Sequence, residues 1–259
     1  MISKAKIQLI RSLEQKKYRM QHDLFVIEGD KAVREALNAA LTVEYLLAKP
    51  AWLKQQSSIK AHHIIEINDK ELSLISFQKT PNQAMALVHI PNYPLNMTEL
   101  TDGLFLYLDQ VQDPGNMGTM IRMADWFGIR HIICGQGCAD PFNPKTVQST
   151  MGAAIRVKTH QTDAGFFRQL KSYQPDFPVF GAFLDGENIY NTPLSTKAMI
   201  VVGNESKGIS DTVAQYVNRR LLIPSYPPGE PTSESLNVAT AAAIICAEFR
   251  RRTSCYYSK

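Results

Sequence analysis

Apolar residues along this chain fall into two kinds of pattern: short unbroken runs, and longer stretches in which they recur three or four apart. The runs LFVIEG (24–29), VEYLLA (43–48), HHIIEI (62–67) and AMALVHI (84–90) predict strands, with a helix from Asp30 to Ala40 and a helical turn near Asp69–Ser76. Roughly the first 20 residues predict one helix, because Ile2, Ala5, Leu9 and Leu13 share a face. PNYPLNMTELTDG (91–103) is rich in Pro, Asn and Gly, has no sustained period and predicts a linker.

Beyond it the alternation restarts. Strand LFLYLD (104–109) leads into a helix over 115–127, and RHIIC (130–134) into a short helix near 144–149. A helix over 164–173 precedes strand PVFGAFL (178–184). Strands AMIVVG (198–203) and RLLIP (220–224) follow, and a long loop precedes a final helix over 235–252. The pattern defines an α/β chain with a small α/β domain over 1–95, then a domain over 103–259 whose parallel sheet carries helices on both faces.

Composition changes this picture little. The chain has 259 residues and is 44% hydrophobic, enough for a sizeable core; its net charge of +4 permits nucleic-acid binding without requiring it. Lys4, Lys6, Arg11, Lys16, Lys17 and Arg19 surround the apolar face of the first helix. A solvated face and an arm approaching RNA phosphates both fit them. Of the four cysteines, Cys134 and Cys138 stand in CGQGC, but no second Cys or His pair at metal-site spacing accompanies them, so ordinary thiols are expected. No run approaches the ~20 apolar residues of a membrane span. The basic N-terminus lacks a secretory apolar core, so a cytoplasmic protein is expected.

Candidate chemistry concentrates in three strings: DPGNMGTMIR (113–122), VVGNESKGIS (201–210) and IPSYPPGEPTSESLNVA (223–239). Each stands where an apolar strand gives way to a turn or helix, which is where open α/β sheets place ligands. Asp113-Pro114 is a helix start, and Met117, Ile121 and Ala124, with Met120, Met123 and Phe127, are core positions. Arg122 has only Gly118 and Gly115 beside it on its face; a substrate pocket and an i,i+3 surface pair with Asp125 both fit. Asn116 lies at the helix start. Gly203 lets backbone approach a ligand closely, and Glu205 is either a solvated turn residue or one that orients its neighbours. Ser210-Asp211 starts another helix. Ser233 or Ser235 is the expected N-cap of the last helix. From Leu236 to Ala247 only Asn237 and Thr240 are polar, which predicts burial on more than one side; a second subunit in a homodimer is the expected cover, and a deep three-layer core also fits.

The three strings, in this order over 104–252, resemble the SpoU (TrmH-like) RNA ribose methyltransferases of the SPOUT superfamily. Asn116 and Arg122 match the first motif, Gly203 and Glu205 the second, and Ser235, Leu236 and Asn237 the third. The resemblance implies a C-terminal trefoil-knotted methyltransferase domain and S-adenosyl-L-methionine held mainly by backbone around Gly203, Ile223 and Leu236. Ala182, Phe183 and Leu184 resemble a further cofactor-lining strand end. The first half, most of all FVIEGDKAVREAL, resembles the RNA substrate-binding domains fused to such enzymes. The loop SYPPGEPTSE (225–234) is longer and richer in proline than the common form.

The resemblance implies methyl transfer to a ribose 2′-hydroxyl of RNA, ribosomal rather than transfer RNA, with no metal required. Arg122, Asn116, Glu205, Ser235 and Asn237 form the catalytic set: Arg122 beside the reacting oxygen, Asn116 and Glu205 holding geometry, Ser235 and Asn237 shaping the cofactor loop. Guanidinium is so strongly basic that a neutral guanidine near pH 7 would cost about 9 kcal/mol, which favours Arg122 as a charged clamp over Arg122 as a base. Two alternatives stand beside this reading: a catalytically silent RNA-binding or ribosome-assembly factor, and a transfer-RNA or base methyltransferase of the same superfamily.

Overall fold

A computed structural model of the chain describes residues 2–163, 165–230 and 233–252. Two compact units emerge: Met1–Asn92 with Asp140–Arg156, and Tyr93–Ala139 with Val157–Lys259. Residues 140–156, which join two strands of the second unit, thus pack with the first.

The first unit runs α1 (Lys4–Ser12), α2 (Lys16–His22), β1 (Leu24–Glu28), α3 (Asp30–Asn38), β2 (Val43–Ala48), α4 (Pro50–Leu53), β3 (His63–Glu66), α5 (Asp69–Ile75) and β4 (Ala84–His89). Its sheet order is β1-β4-β2-β3, with β4 antiparallel to both β1 and β2, and β2 parallel to β3. Strand alternation sends Phe25, Ile27, Ala86 and Val88 to one face, where they meet Val33, Leu37 and Trp52. Leu24, Val26, Met85 and Leu87 go to the other, against Ile10, Leu13, Leu72 and Ile75.

The expected single N-terminal helix is two. Leu13 caps α1, and the chain bends before α2. Arg19 makes the bend possible: its guanidinium donates to the carbonyls of Leu13 at 2.7 Å and Glu14 at 2.8 Å, and pairs with Asp140 at 2.5 Å. It is 1% exposed, so the sequence grouping of Arg19 with the solvated lysines is corrected. A buried cation is tolerated because an acid and free carbonyls meet it.

The second unit runs β5 (Leu104–Leu108), α6 (Pro114–Trp126), β6 (His131–Cys134), then, after α7 (Pro144–Ser149) in the first unit, β7 (Lys158–Gln161), α8 (Phe166–Tyr173), β8 (Val179–Asn188), β9 (Ala198–Val202), α9 (Asp211–Ala214), β10 (Arg219–Leu222) and α10 (Val238–Arg251). All six strands are parallel in the order β10-β8-β9-β5-β6-β7. The central β5 and β9 are buried throughout, as unbroken apolar runs require. The edge strand β7 was not foreseen, because KTHQ carries no apolar run. In β8, Gly181 pairs with Arg220 but Glu187 with Leu221, so residues 182–186 leave the ladder.

The last helix starts later than expected. Its N-cap is Asn237, whose Oδ1 accepts from the amides of Ala239 at 3.0 Å and Thr240 at 3.3 Å, not Ser235 or Ser233. Within the chain α10 packs against α6 and buries Val238, Ala242, Ile245 and Phe249, while Thr240 and Ala247 remain exposed. Cys134, Cys138 and Cys246 are free thiols; Cys255 lies outside the described residues.

Candidate active site

The site is built at one end of the parallel sheet, on residues that follow β5, β9 and the loop before α10. At the end of β5, Asp109 is buried and its Oδ2 accepts from the Ser210 amide at 2.7 Å. Gln110 has φ 56°, the left-handed region, and its carbonyl accepts from Asn204 Nδ2 at 2.9 Å. These contacts tie the start of one motif to the second.

The loop after β9 closes on itself. Asn204 and Gly208 exchange both backbone hydrogen bonds at 2.9 Å, while Asn204 Oδ1 accepts from the amides of Ser206 and Lys207 at 3.0 and 3.1 Å. Gly203 is buried beneath this ring. A Cβ there would stand 2.2 Å from the Gly208 carbonyl carbon, so only glycine allows the loop to shut. Shutting it leaves Glu205 exposed at the tip.

Helix α6 begins as its sequence predicts. Asp113 Oδ1 accepts from the Asn116 amide at 2.8 Å, with Pro114 in the first helical turn. That cap fixes Asn116, and the Asn116 side chain joins the three strings. Its Nδ2 donates to Glu205 Oε1 at 2.8 Å, and its Oδ1 accepts from Asn237 Nδ2 at 3.0 Å. Asn237 thus donates to the first motif while capping α10. The result is a hydrogen-bonded chain, Asn237–Asn116–Glu205, between residues 121 and 89 positions apart.

Arg122 is outside this chain. It is exposed on α6, and the pair with Asp125 allowed by local sequence is not formed. Its guanidinium has no hydrogen bond or ion pair among the described residues. Trp126, one turn further, is 85% exposed. Ser235 is exposed and caps nothing.

The expected cofactor positions lie on neighbouring strands. Ile223 follows β10, Ala182–Leu184 fill the stretch of β8 that leaves the ladder, and Gly203 follows β9; β10, β8 and β9 are adjacent in the sheet. Leu184 and Leu236 hold apolar side chains 70% and 48% exposed. Arg220 lies over the Phe183 ring at 3.9 Å and pairs with Asp185 at 2.6 Å, which orders the 182–186 stretch. Residues 231 and 232 of the long loop lie outside the described residues.

Sequence reasoning missed Asp109, Gln110 and Asn204. Two offered a signal: Asp109, an acid ending an all-apolar strand, and Asn204, an asparagine inside a turn string. The bonds Asp109–Ser210 and Gln110–Asn204 join residues about a hundred positions apart, which no local pattern reveals.

An all-parallel sheet whose strand ends carry interlocked polar loops defines an α/β protein with a ligand site at those ends. Residues 103–247 match the SpoU rRNA methylase family, and residues 4–86 match the MRM3-like substrate-binding domain. The chain is 32% identical over 246 residues to the 23S rRNA (guanosine(2553)-2′-O)-methyltransferase RlmP of Bacillus subtilis, spanning 93% of this chain and 94% of that one. A TrmH-family protein from Porphyromonas gingivalis has the same fold with TM-score 0.87 and 41% identity, over 98% of this chain and 100% of the other. An AdoMet-bound rRNA methyltransferase from Sinorhizobium meliloti matches with TM-score 0.84 and 26% identity, over 98% and 97%. This chain belongs to the SpoU rRNA methylase family.

Proposed function

We propose that this protein transfers a methyl group from S-adenosyl-L-methionine (AdoMet) to a ribose 2′-hydroxyl of ribosomal RNA. The observation that carries the reading is the Asn237–Asn116–Glu205 chain, which draws one polar residue from each of the three strings into one place. The B. subtilis relative, matched over nearly all of both chains, makes a guanosine of 23S rRNA the first target to test.

The residues present fit AdoMet. Gly203 lets the 203–208 loop close tightly at the end of β9, and Leu184 in β8 and Leu236 before α10 offer exposed apolar surface. Gly203, Ile223, Leu236 and the 182–184 stretch would hold it. When bound, AdoMet supplies a methyl group already activated on a sulfonium.

The chain's own residues then align and stabilise. Asn116 holds the α6 N-terminus to the loop carrying Glu205, and Asn237 holds the approach to α10 against both. Ser235, next to Leu236, shapes the cofactor loop. Arg122, with no partner among the described residues, is available to an RNA phosphate and to the negative charge developing on the ribose oxygen. Its charge lowers the cost of the alkoxide, while phosphate or water takes the proton.

Residues 1–95 act in this reading as the RNA-holding domain. The strand order β10-β8-β9-β5-β6-β7 supports a C-terminal segment threaded through its own loops as a trefoil knot. The exposed Trp126 on α6, with Thr240 and Ala247 open on the adjoining α10, supports a homodimer through these helices. No described helix is long and apolar enough to cross a membrane.

The test is incorporation of a tritiated methyl group from AdoMet into deproteinised ribosomal RNA. The label is expected in nucleotides whose 3′ linkage resists alkali, which separates ribose from base methylation. RNA binding without incorporation supports the silent assembly-factor reading and defeats this one.

A further inference from the structure

Two imidazoles meet at the open edge of the second unit's sheet. His131 opens β6, and His160 stands on the edge strand β7, where Ile133 is its register partner. Their rings stack with centroids 5.2 Å apart, and His131 Nδ1 lies 3.0 Å from His160 Nε2. The other nitrogen of His160, Nδ1, lies 3.0 Å from the carbonyl oxygen of Tyr93. His160 is 3% exposed and the His131 side chain 13%.

This pair holds the segment that enters the unit. Tyr93 is the first residue of the unit, and the chain continues into a short 3₁₀ turn, Met97–Thr101. Leu100 is fully buried, so the far end of the segment is anchored, whereas Leu95 and Met97 are only partly buried. Among the described residues, the bond from His160 to Tyr93 is the one hydrogen bond between residues 91–98 and another element.

The last acceptor in this relay dictates where its protons sit. A carbonyl only accepts, so His160 carries its proton on Nδ1, and its bare Nε2 accepts from His131 Nδ1–H. His131 Nε2 is then bare as well, 3.7 Å from Glu99 Oε2. The charges facing the pair are Glu99, Arg130 and Lys158, whose Nζ lies 3.8 Å from the same Glu99 oxygen; the Phe105 and Tyr93 rings complete the surroundings. A first added proton goes to His131 Nε2, beside Glu99, and leaves both bonds standing. A second has only His160 Nε2 to take it. Two N–H groups on adjacent cations would then face each other at 3.0 Å, and the rings must part. Parting them withdraws Nδ1 from Tyr93. Burial favours the neutral form of both rings, so acid is needed to open the relay.

We propose that His131 and His160 form an acid-released latch. Intact at neutral pH, it fixes the entry segment 93–99 to the sheet edge; double protonation frees that segment while Leu100 stays in the core.

The experiment is amide hydrogen exchange of the full chain at pH 7.5 and 5.0, corrected for the intrinsic pH dependence of exchange and read on a peptide spanning 91–103. Exchange in the parent is expected to be about tenfold faster at pH 5.0, the protection of roughly one hydrogen bond. Peptides from β5 and β9 should show no such change, and equal acceleration there overturns the proposal in favour of general loosening. His160→Asn places an amide donor where Nδ1 stood and takes no proton, so its exchange should stay slow at both pH values. His160→Ala has no donor and should exchange fast at both. Equal parent rates at the two pH values overturn the proposal, and so does a His160→Asn protein that keeps the parent's pH dependence. If the variants fold poorly, nitrogen-15 NMR of the parent keeps the test decisive. Both imidazoles must carry their proton on Nδ1 at pH 7.5, and a neutral His160 protonated on Nε2 instead overturns the latch.

Discussion

Helix α6 holds two regions that behave in opposite ways. Its first turn is fixed on every side: Asp113 caps it, and Asn116 bonds both Glu205 and Asn237. One to two turns later Arg122 and Trp126 stand exposed, and Arg122 has no intrachain partner among the described residues. The difference separates framework from reagent. On the proposed function, groups that must stay in place satisfy each other, whereas the group proposed to meet substrate keeps its hydrogen-bonding capacity unspent.

The sharpest way to break this contrast is at Arg122. Arg122→Ala is expected to lower methyl transfer by about 100-fold or more, with AdoMet binding intact by calorimetry. Arg122→Lys should retain measurable activity if charge is what matters. A fully inactive lysine variant that still binds RNA would move Arg122 from clamp to base.

On the framework side, Gly203→Ala forces a methyl group into the Gly208 backbone at 2.2 Å. The closed loop must open, at a cost of about 1–3 kcal/mol. AdoMet affinity should fall at least about tenfold by calorimetry, beyond any change seen with Arg122→Ala. A Gly203→Ala protein with normal affinity would remove this loop from the cofactor site.

A smaller effect is expected at Asn237. Asn237→Ala removes the cap of α10 and one support of Asn116, and should cost about 1 kcal/mol in urea unfolding. Ser235→Ala should leave stability unchanged, because Ser235 caps nothing. Equal losses would return the cap to serine.

The smallest effect concerns pH. Two of the three framework side chains are amides, so stability changes between pH 7.5 and 5.5 should come from elsewhere in the unit. At the far edge of the sheet, His131 Nδ1 lies 3.0 Å from His160 Nε2 with the rings stacked. Burial pulls both imidazoles below their ordinary value of 6.5, and for His131 the neighbouring His160 adds to this. The unfolded chain therefore binds protons more readily than the folded one, and this stability, complete above pH 6.5, is lost as pH falls below it. His89 works the other way. Its bond to Asp23 holds its pKa up, so its contribution is present below pH 6.5 and fades as pH rises past its folded value. His160→Gln should flatten the fall in Tm between pH 7.5 and 5.5, and His89→Gln should steepen it. A pH profile of Tm unchanged by both would discard this account.

Much of this was legible in the sequence because it is local. The apolar runs of β5 and β9, the Asp113-Pro114 start of α6 and the core stripe of Met117, Met120 and Ile121 each follow from neighbours within a few residues. The three strings marked residues that the fold brings together, Asn116, Glu205 and Asn237. What sequence alone withheld was pairing. Arg19 reads as one more surface cation, yet Asp140, 121 positions away, makes it a core residue. Asn237 reads as an oddity inside an apolar stretch, while the nearby serines are conventional caps; only contact with Asn116 shows why asparagine holds that position. An amide donates on one side while accepting on the other, which a serine cannot do over the same reach. β7 was missed because an edge strand needs backbone partners more than apolar side chains.

The Asn237–Asn116–Glu205 chain also has a consequence for biosynthesis. Its three members are separated by 89 and 32 positions, and the last, Asn237, is translated well after the helix and the loop that carry the other two. A growing polypeptide therefore has no assembled site until residue 237 has been made and docked. On the proposed function, a partly made chain that has not reached residue 237 lacks this framework.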